Sequence, residues 1–403
     1  MEMTFHSPVR LLIVAECAHY RQGEAVLAPR HFVREIELWA QMFDRVWLAT
    51  RFPPGPVPED AAPYRSPNLG FWVANGAFTR SVEDRIRSLG RSAVALCRLI
   101  RAFRQCRFVH IRAPARNALF ALLLQYVFKR PAYIKWAGNW DLSGGAPWSS
   151  RLQKFLIRHC PGLVLVTVYH RLPGDSEWIV GTATTSLTRR EIESLPSIAR
   201  EPPRGDGIQL LWVGRFSANK RVGELVAVLP RILRVHPRAE LHLVGDGELR
   251  PAIESVIKRN KLEEHVRLHG RLPWSALGRR YAQADLLLLP SATEGFPKVL
   301  HEAMLFGVPP VVFTVGALPE IVAGRGLVVT PPGDMDAFAA AVENLLQDGE
   351  RWRGYSSAGM QWARSISIES VVERYRQLCQ QRWGVQLRAV RAEDERVSGP
   401  LEI

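Results

Sequence analysis

The stretch ADLLLLPSATEGFPKVLHEAMLFG, residues 284–307, contains a strand, a loop and a helix in immediate succession. Four consecutive leucines before Pro290 are typical of a strand that is buried on both faces. Pro297 fits the first position of a helix, and the apolar spacing from Lys298 onward continues that helix to Gly307. A strand that passes through a short loop into a helix is the repeating unit of a parallel α/β sheet.

Apolar runs alternate with helical patterns through the rest of the chain. In the first half, strands are expected at 10–15, 45–50, 108–113, 132–138 and 162–168, helices at 30–42 and 118–128, the second of them buried, and loops at 18–29 and 51–70. In the second half, further strands are expected at 208–214, 239–245, 266–270, 308–313 and 327–330. The pattern predicts two Rossmann-like, doubly wound parallel-sheet domains that face a ligand cleft at the carboxyl ends of their strands.

A segment rich in proline and charge, LPSIAREPPRGDG at 195–207, interrupts this alternation. It predicts an interdomain linker, with an N-terminal domain at 1–200 and a C-terminal domain at 206–360. Each half is long enough to bury its own core.

Composition argues against a membrane-spanning protein and against a secreted one. The longest apolar run, 118–128, is shorter than the ~18–20 residues of a membrane-spanning helix. LLIVA (11–15) is too short for the apolar region of a signal peptide. The five cysteines show no metal-type spacing, which is typical of reduced thiols. A cytoplasmic protein is therefore expected.

Positive charge is concentrated in the first half. The net charge is +14, and residues 1–200 hold 27 basic against 15 acidic side chains, whereas 201–403 hold 26 against 24. From Arg85 to Trp140 there are 12 basic residues and no acidic one. A solvated face, an anionic membrane surface and a phosphorylated acceptor all remain open. Nucleic acid is not expected as a partner, because no recognition motif accompanies the charge.

The stretch 85–107 within that region predicts an amphipathic helix. Leu89, Ala93, Leu96, Leu99 and Phe103 fall near one apolar side, and arginines occupy the remainder. Docking on the domain core explains the apolar side, whereas the arginines predict peripheral, reversible contact with an anionic membrane.

Candidate chemistry follows the strands of the second half. Arg215 and Lys220, on the loop after one strand, could bind a diphosphate. The amides of Gly295 and Phe296 precede a helix, where phosphate is attracted. A carboxylate beside a phosphate would repel it, so Glu294 is expected to contact sugar hydroxyls. Glu302, about one turn into the helix, can accept hydrogen bonds from a ribose.

These motifs resemble the retaining glycosyltransferases of family 4, which have the GT-B fold. The resemblance rests on GRFSANK (214–220), HLVGDGE (242–248), the Glu294-x7-Glu302 pair and VGALPEIV (315–322). It implies that Arg215 and Lys220 bind the donor diphosphate, that Glu294 contacts the sugar and supports the transition state, and that Glu302 binds the ribose. Further donor-binding positions are implied at Gly23, Arg271, Leu272, Gly295, Phe296, Pro297 and Gly316.

The resemblance also implies a crossover helix at 361–385 that returns to the N-terminal domain, followed by a flexible tail at 386–403. The sequence departs from the family pattern at three places. Gly23 stands alone where paired glycines are usual, Arg221 replaces a glycine, and 138–140 lacks the usual histidine. His110 could substitute for that histidine, although a lone histidine is more often structural.

A D-x-D motif at Asp334 and Asp336 is the one sign of a metal site. Because these residues precede an Ala-rich helix, the N-cap interpretation is preferred, and neither metal nor cofactor is expected. The sequence thus predicts a metal-independent transferase that moves sugar from a nucleotide sugar to a glycan or lipid-linked acceptor in envelope polysaccharide synthesis. A sugar-nucleotide epimerase and a non-catalytic nucleotide-sugar binding protein are the alternatives.

Overall fold

The structure of the protein is a computed structural model that describes residues 9–73, 94, 96–142, 146–196, 200–205 and 207–391. The described chain divides into two compact units. The first comprises the residues up to Thr188 together with those from Ile368 onward, and the second runs Arg189–Ser367. The chain therefore leaves the first unit and later returns to it.

The first unit is built on a parallel sheet. Its strands are β1 Arg10–Ala18, β2 Tyr20–Gln22, β3 Ala25–Pro29, β4 Arg45–Arg51, β5 Ala61–Pro63, β6 Leu69–Val73, β7 Phe108–Ala113, β8 Ala132–Trp136, β9 Val164–Val168 and β10 Ile179–Gly181. Seven of them form one sheet in the order β10-β9-β8-β7-β1-β4-β6, and each neighbouring pair is parallel. At its centre, Ile13 pairs with Leu48 on one side and His110 on the other.

Before residue 188, the helices within the described part of the first unit are α1 Arg30–Met42, α2 at 96–105, α3 Arg116–Phe128 and α4 Trp148–Arg158. Apolar side chains of α2, α3 and α4 share one core with the sheet. Trp39 of α1 packs instead on His110 and Tyr133, which belong to the opposite face. Both faces of the sheet are covered, which explains why its strands are continuous apolar runs.

The second unit repeats this architecture. Its strands are β11 Gln209–Val213, β12 Glu240–Val244, β13 Val266–Gly270, β14 Leu286–Leu289, β15 Pro310–Phe313 and β16 Leu327–Val329. They form a parallel sheet in the order β13-β12-β11-β14-β15-β16. The helices are α5 Arg189–Ser194, α6 Val222–Val235, α7 Arg250–Arg259, α8 Trp274–Gln283, α9 Lys298–Leu305, α10 Leu318–Val322, α11 Met335–Gln347 and α12 Gly349–Arg364, with a short 3₁₀ turn at Ala218–Lys220.

The last helix, α13 Ile368–Trp383, belongs to the first unit. Its Trp383 packs on Phe108 with the rings tilted and donates a hydrogen bond to the carbonyl of Leu163. The sequence predicted one crossover helix from 361, but residues 361–364 end α12. The break has a local cause, since His301 binds the carbonyls of Ala363 and Ile366 in the turn between the two helices.

Three further predictions differ from the structure. The proposed loop at 18–29 is a hairpin of β2 and β3, turned by Gly23 with φ 60° and joined by β5 from the other proposed loop at 51–70. The change of unit lies at Thr188 rather than at 195–207, because the carbonyls of Ile192 and Leu195, in and just after α5, accept bonds from Arg364 of α12.

The third concerns the tail. Its first residues pack on the first unit, where Leu387 is buried and Arg388 forms an ion pair with Asp44. Residues 392–403 lie outside the described chain, as do 85–93 and 95 of the proposed amphipathic helix. None of the described helices has the length and hydropathy that a membrane span requires.

Candidate functional site

Two glycine loops fix the backbone at the carboxyl edge of the second sheet. The amide of Phe216 donates to the carbonyl of Asp246 over 3.0 Å, so the loops after β11 and β12 are hydrogen-bonded. A Cβ on Gly245 would lie 1.7 Å from the carbonyl oxygen of Gly214, and one on Gly247 would lie 2.4 Å from that of Phe216. The glycines of VGDG are therefore required for close packing of these two loops.

Lys220 and Glu294 form an ion pair at this edge. Lys220 Nζ lies 2.5 Å from Glu294 Oε1, and their side chains are 20% and 7% exposed. A second bond, from the amide of Ala292 to the carbonyl of Asn219 over 2.8 Å, joins the same two loops. β11 and β14 are neighbours in the sheet, which brings together two residues 74 positions apart. The structure thus places both predicted residues in one site and pairs them with each other.

Arg215 is available to a ligand. Its side chain is exposed, and no described residue accepts a hydrogen bond from its guanidinium or forms an ion pair with it. Because Lys220 and Glu294 offset each other, Arg215 supplies the uncompensated positive charge of this loop.

The N-terminus of α9 lies in the loop that carries Glu294. Pro297 immediately precedes the helix rather than occupying its first position, and its carbonyl accepts from the amide of Leu300. Phe296 is buried against Trp362, whereas the amide of Gly295 donates to no described backbone carbonyl. The amide of Gly295 and the dipole of α9 favour an anion at this position.

Glu302 lies in the second turn of α9. The hydroxyl of Tyr281 donates to its Oε2 over 2.8 Å, and burial raises the pKa of the Glu302 carboxyl. The Glu302 carboxyl is therefore oriented by a tyrosine that the sequence did not indicate, and its Oε1 has no donor among the described residues. The Tyr281 contact depends on how α8 packs on α9, which no local motif reveals.

The remaining predicted positions fall in two places. Arg271 and Leu272 follow β13, and Gly316, with φ 52°, follows β15. Both loops leave the same carboxyl edge as Arg215 and Glu294, since all six strands are parallel. Gly23 belongs to the first unit, where it lies at the tip of the β2–β3 hairpin.

A histidine pair adjoins the β13 loop. His242 Nε2 lies 2.7 Å from Gln209 Oε1, so its Nε2 carries the proton and its Nδ1 accepts from His269 Nε2 over 2.9 Å. Burial lowers the pKa of His242 to about 4 and also lowers the pKa of His269. This chain of bonds sets the tautomers of the two rings, and the lowered pKa values favour their neutral forms.

The D-x-D motif and His110, the two other candidates from the sequence, have structural roles. Asp334 caps α11 by accepting from the amide of Ala337 over 2.9 Å, and Asp336 forms an ion pair with Arg231. The N-cap interpretation of Asp334 is confirmed. His110 is fully buried between Trp39 and Tyr133, and burial holds its pKa well below the usual value. It packs in the core of the first unit.

The sequence did not indicate the buried hydroxyl of Ser291. Ser291 follows β14 and is fully buried, yet its Oγ makes no hydrogen bond to another described residue. It lies three residues before Glu294 in the same loop. A serine in SATEG carries no distinctive sequence signal, so only its burial identifies it.

Comparison with known proteins places this site in context. Residues 207–348 match the family model described as glycosyl transferases group 1. The chain is 33% identical over 171 residues to the glycogen synthase of Mycobacterium tuberculosis, which covers 42% of this chain and 41% of that protein. It is 30% identical over 188 residues to the O-antigen chain mannosyltransferase B of Escherichia coli, covering 46% and 48%. The matches thus span less than half the length of these relatives.

Solved structures extend the likeness to the fold of both units. Sucrose-phosphate synthase from Thermosynechococcus elongatus has a TM-score of 0.68 at 20% identity, covering 93% of this chain and 99% of that one. The Anabaena protein HepE, in complex with UDP and glucose, has a TM-score of 0.65 at 16% identity, covering 93% and 100%. The chain therefore has the GT-B fold, and its residues 207–348 are similar to the group 1 glycosyl transferases.

Proposed function

We propose that the protein is a retaining glycosyltransferase that moves a sugar from a nucleoside-diphosphate sugar to an acceptor hydroxyl. The observation that carries this proposal is the Lys220–Glu294 pair, 2.5 Å apart, beside the unpaired Arg215 and the N-terminus of α9. The match of residues 207–348 to the group 1 glycosyl transferases supports the same assignment.

In this proposal the leaving diphosphate is stabilised without a metal. Arg215, Lys220 and the amides of Gly295 and Phe296 meet its negative charge. The bond between the anomeric carbon and the diphosphate oxygen breaks as the acceptor oxygen bonds to that carbon. The acceptor proton passes to the leaving diphosphate oxygen, so no protein base is required.

The other residues orient the donor. Glu294, fixed by Lys220, contacts the sugar hydroxyls and supports the transition state, while Oε1 of Glu302 accepts from the ribose. Gly316 lies in a second loop that faces phosphate, and the backbone at Arg271 and Leu272 contacts the base. Gly23, at the tip of its hairpin in the first unit, stays a predicted donor-binding residue.

The acceptor in this proposal is a glycan or a lipid-linked sugar of envelope polysaccharide synthesis, at the inner face of the plasma membrane. Arg98, Arg101 and Arg104 on α2 are exposed and could contact anionic lipid. Leu99 and Phe103 of the same helix are buried, so docking on the core accounts for its apolar side.

Incubation of the protein with individual nucleotide sugars tests the proposal. The nucleotide and sugar products are separated by chromatography, with and without a lipid-linked acceptor extract. We expect free nucleoside diphosphate in amounts that rise with the acceptor, and glycosylated acceptor in equal amount. Conversion to an epimeric nucleotide sugar without release would instead indicate an epimerase, and binding without turnover a non-catalytic protein.

A further inference from the structure

Three consecutive helices cover one face of the sheet in the first unit. Leu99 and Phe103 of α2, Leu122 of α3 and Ile157 of α4 share one core with that face. The ring of Phe103 contacts Phe128 at the end of α3. The hydroxyl of Tyr126 on α3 donates to a backbone carbonyl of α4 over 2.8 Å. The helices are therefore neighbours in the order α2, α3, α4, and their other sides face solvent.

The solvent sides of α3 and α4 are apolar. We call them the apolar stripes: Phe120, Leu123 and Val127 on α3, and Trp148, Leu152 and Phe155 on α4. In each helix the second residue follows the first by three or four positions and the third follows the first by seven, so each set lies along one side of its helix. Val127 and Trp148 are each 73% exposed. The run 118–128 was predicted as a buried helix, but this side of it is uncovered.

Large exposed hydrophobic side chains are concentrated around the apolar stripes and are sparse elsewhere on the described surface. Nine of the twelve large exposed hydrophobic side chains in the described chain lie between Val94 and Leu163, the others being Val57, Val235 and Val328. A concentration of exposed apolar side chains on neighbouring helices marks an interaction surface.

The charged side chains of these three helices, within the described residues, are all basic. No aspartate or glutamate occurs within the described residues of α2, α3 or α4. Arg101 and Arg104 of α2 and Arg151 of α4 are exposed beside the apolar stripes. A second copy of this face would bring arginines against arginines, because a symmetric interface pairs a surface with itself. An anionic bilayer offers phosphate to the arginines and an apolar layer to the stripes, and tryptophan favours the boundary between the two.

We propose that the outer face of α3 and α4 is a membrane-docking surface whose apolar stripes enter the interfacial layer of an anionic bilayer while neighbouring arginines contact lipid phosphates. This inference rests on the membrane location proposed above and adds to it a second, apolar contribution. Salt screens the electrostatic attraction between arginines and lipid, whereas the binding contributed by buried apolar side chains persists at high salt.

Co-sedimentation of the full chain with vesicles tests this surface. The vesicles contain phosphatidylcholine alone or with phosphatidylglycerol, in low salt and in about 1 M salt. The test variant is Val127→Gln/Trp148→Gln, at positions whose exposure leaves the fold intact. The matched control is Val57→Gln/Val235→Gln, which removes two exposed hydrophobic side chains elsewhere. A third variant, Arg101→Gln/Arg104→Gln, reports the charge contribution.

We expect wild type and control to bind anionic vesicles, with a fraction that stays bound at high salt. The Val127→Gln/Trp148→Gln variant should bind about tenfold more weakly and lose the salt-resistant fraction. The arginine variant should keep that fraction and lose preference for anionic lipid. Unfolding temperatures and the stabilisation by added nucleoside diphosphate are measured on the same samples, so that docking and donor binding are judged separately.

Two results would overturn the inference. One is complete release of the wild type by salt together with unchanged binding of Val127→Gln/Trp148→Gln, which would leave an electrostatic contact alone. The other is absence of vesicle binding, particularly if sedimentation velocity shows self-association that this variant abolishes. Neither result bears on the donor site, whose test is the stabilisation by nucleoside diphosphate.

Discussion

Lys220 and Glu294 illustrate what a sequence reveals about single residues. Both could be assigned to the candidate site, because each follows an apolar strand and parallel strands end at one edge. Their pairing could not be predicted, since it requires β14 to lie beside β11 although two strands separate them in the chain. The order of strands in a sheet depends on tertiary packing, which no single motif encodes.

The two cations of the β11 loop should respond differently to removal. Arg215→Ala and Lys220→Ala should each lower turnover by about 10²-fold or more, as expected for loss of an electrostatic stabiliser. Only Lys220→Ala should also destabilise the fold, by about 1–3 kcal/mol, because it leaves the buried Glu294 carboxylate without its partner. Steady-state kinetics and thermal unfolding measure the two effects.

Arg259→Ala is the control for these variants, because Arg259 is an exposed arginine at the end of α7. It should leave turnover and stability unchanged. Folded variants of Arg215 and Lys220 with the wild-type rate would remove both from the diphosphate site.

His301 links stability to pH. Its Nε2 lies 2.9 Å and 3.0 Å from the carbonyls of Ala363 and Ile366, and burial lowers its pKa from 6.5 to about 4. Between these values only the unfolded chain binds the proton, so stability is full above about pH 6.5 and falls as the pH drops towards 4.

Denaturant unfolding at about pH 7 and about pH 5 measures this dependence. His301 should contribute about 1–2 kcal/mol to the loss of stability between the two conditions. His301→Gln should reduce the loss by that amount, although His19 and His242, whose pKa values are also lowered to about 4, maintain part of it. An unchanged difference between the two conditions in His301→Gln would contradict this role.

Secondary-structure elements were predicted best where the apolar pattern was continuous. α1 was expected at 30–42 and observed at Arg30–Met42, and every expected strand is present. The β2–β3 hairpin was missed because most residues of its strands are exposed or half-buried, so the strands lack the buried apolar pattern of the central sheet. The exposed side of α3 was missed because a helix that is apolar all round gives no indication of which side is covered.

The cap of α11 allows the metal question to be tested. Asp334→Ala should lower the free energy of unfolding by about 1 kcal/mol through loss of its bond to the amide of Ala337. Asp334→Asn should be nearly silent, because asparagine caps equally well. Neither variant should alter turnover, and activity should persist in EDTA. Loss of activity in the chelator, restored by Mn²⁺ or Mg²⁺, would show that a metal is required.

The division into two α/β units was readable from the sequence, because two sets of buried strands alternate with helices. Their limits were not readable, since Arg364 holds α5 to the second unit and Trp383 holds α13 to the first. Such contacts join segments far apart in the chain. A proline-rich composition, as at 195–207, indicates that regular secondary structure is interrupted. It does not show where one hydrophobic core ends and the next begins.

Binding of a nucleoside diphosphate at the carboxyl edge of the second sheet is the property on which every assigned role depends, and calorimetric titration measures it directly. UDP and GDP are titrated into the full chain in EDTA, beside the corresponding nucleosides and with Arg215→Ala for comparison. We predict that one diphosphate binds at least about 10²-fold more tightly than its nucleoside, and that Arg215→Ala removes most of this difference, because charge-assisted bonds to phosphate are strong. Equal affinity for nucleoside and diphosphate, or an unchanged preference in Arg215→Ala, would contradict the assignment of this edge as a diphosphate site.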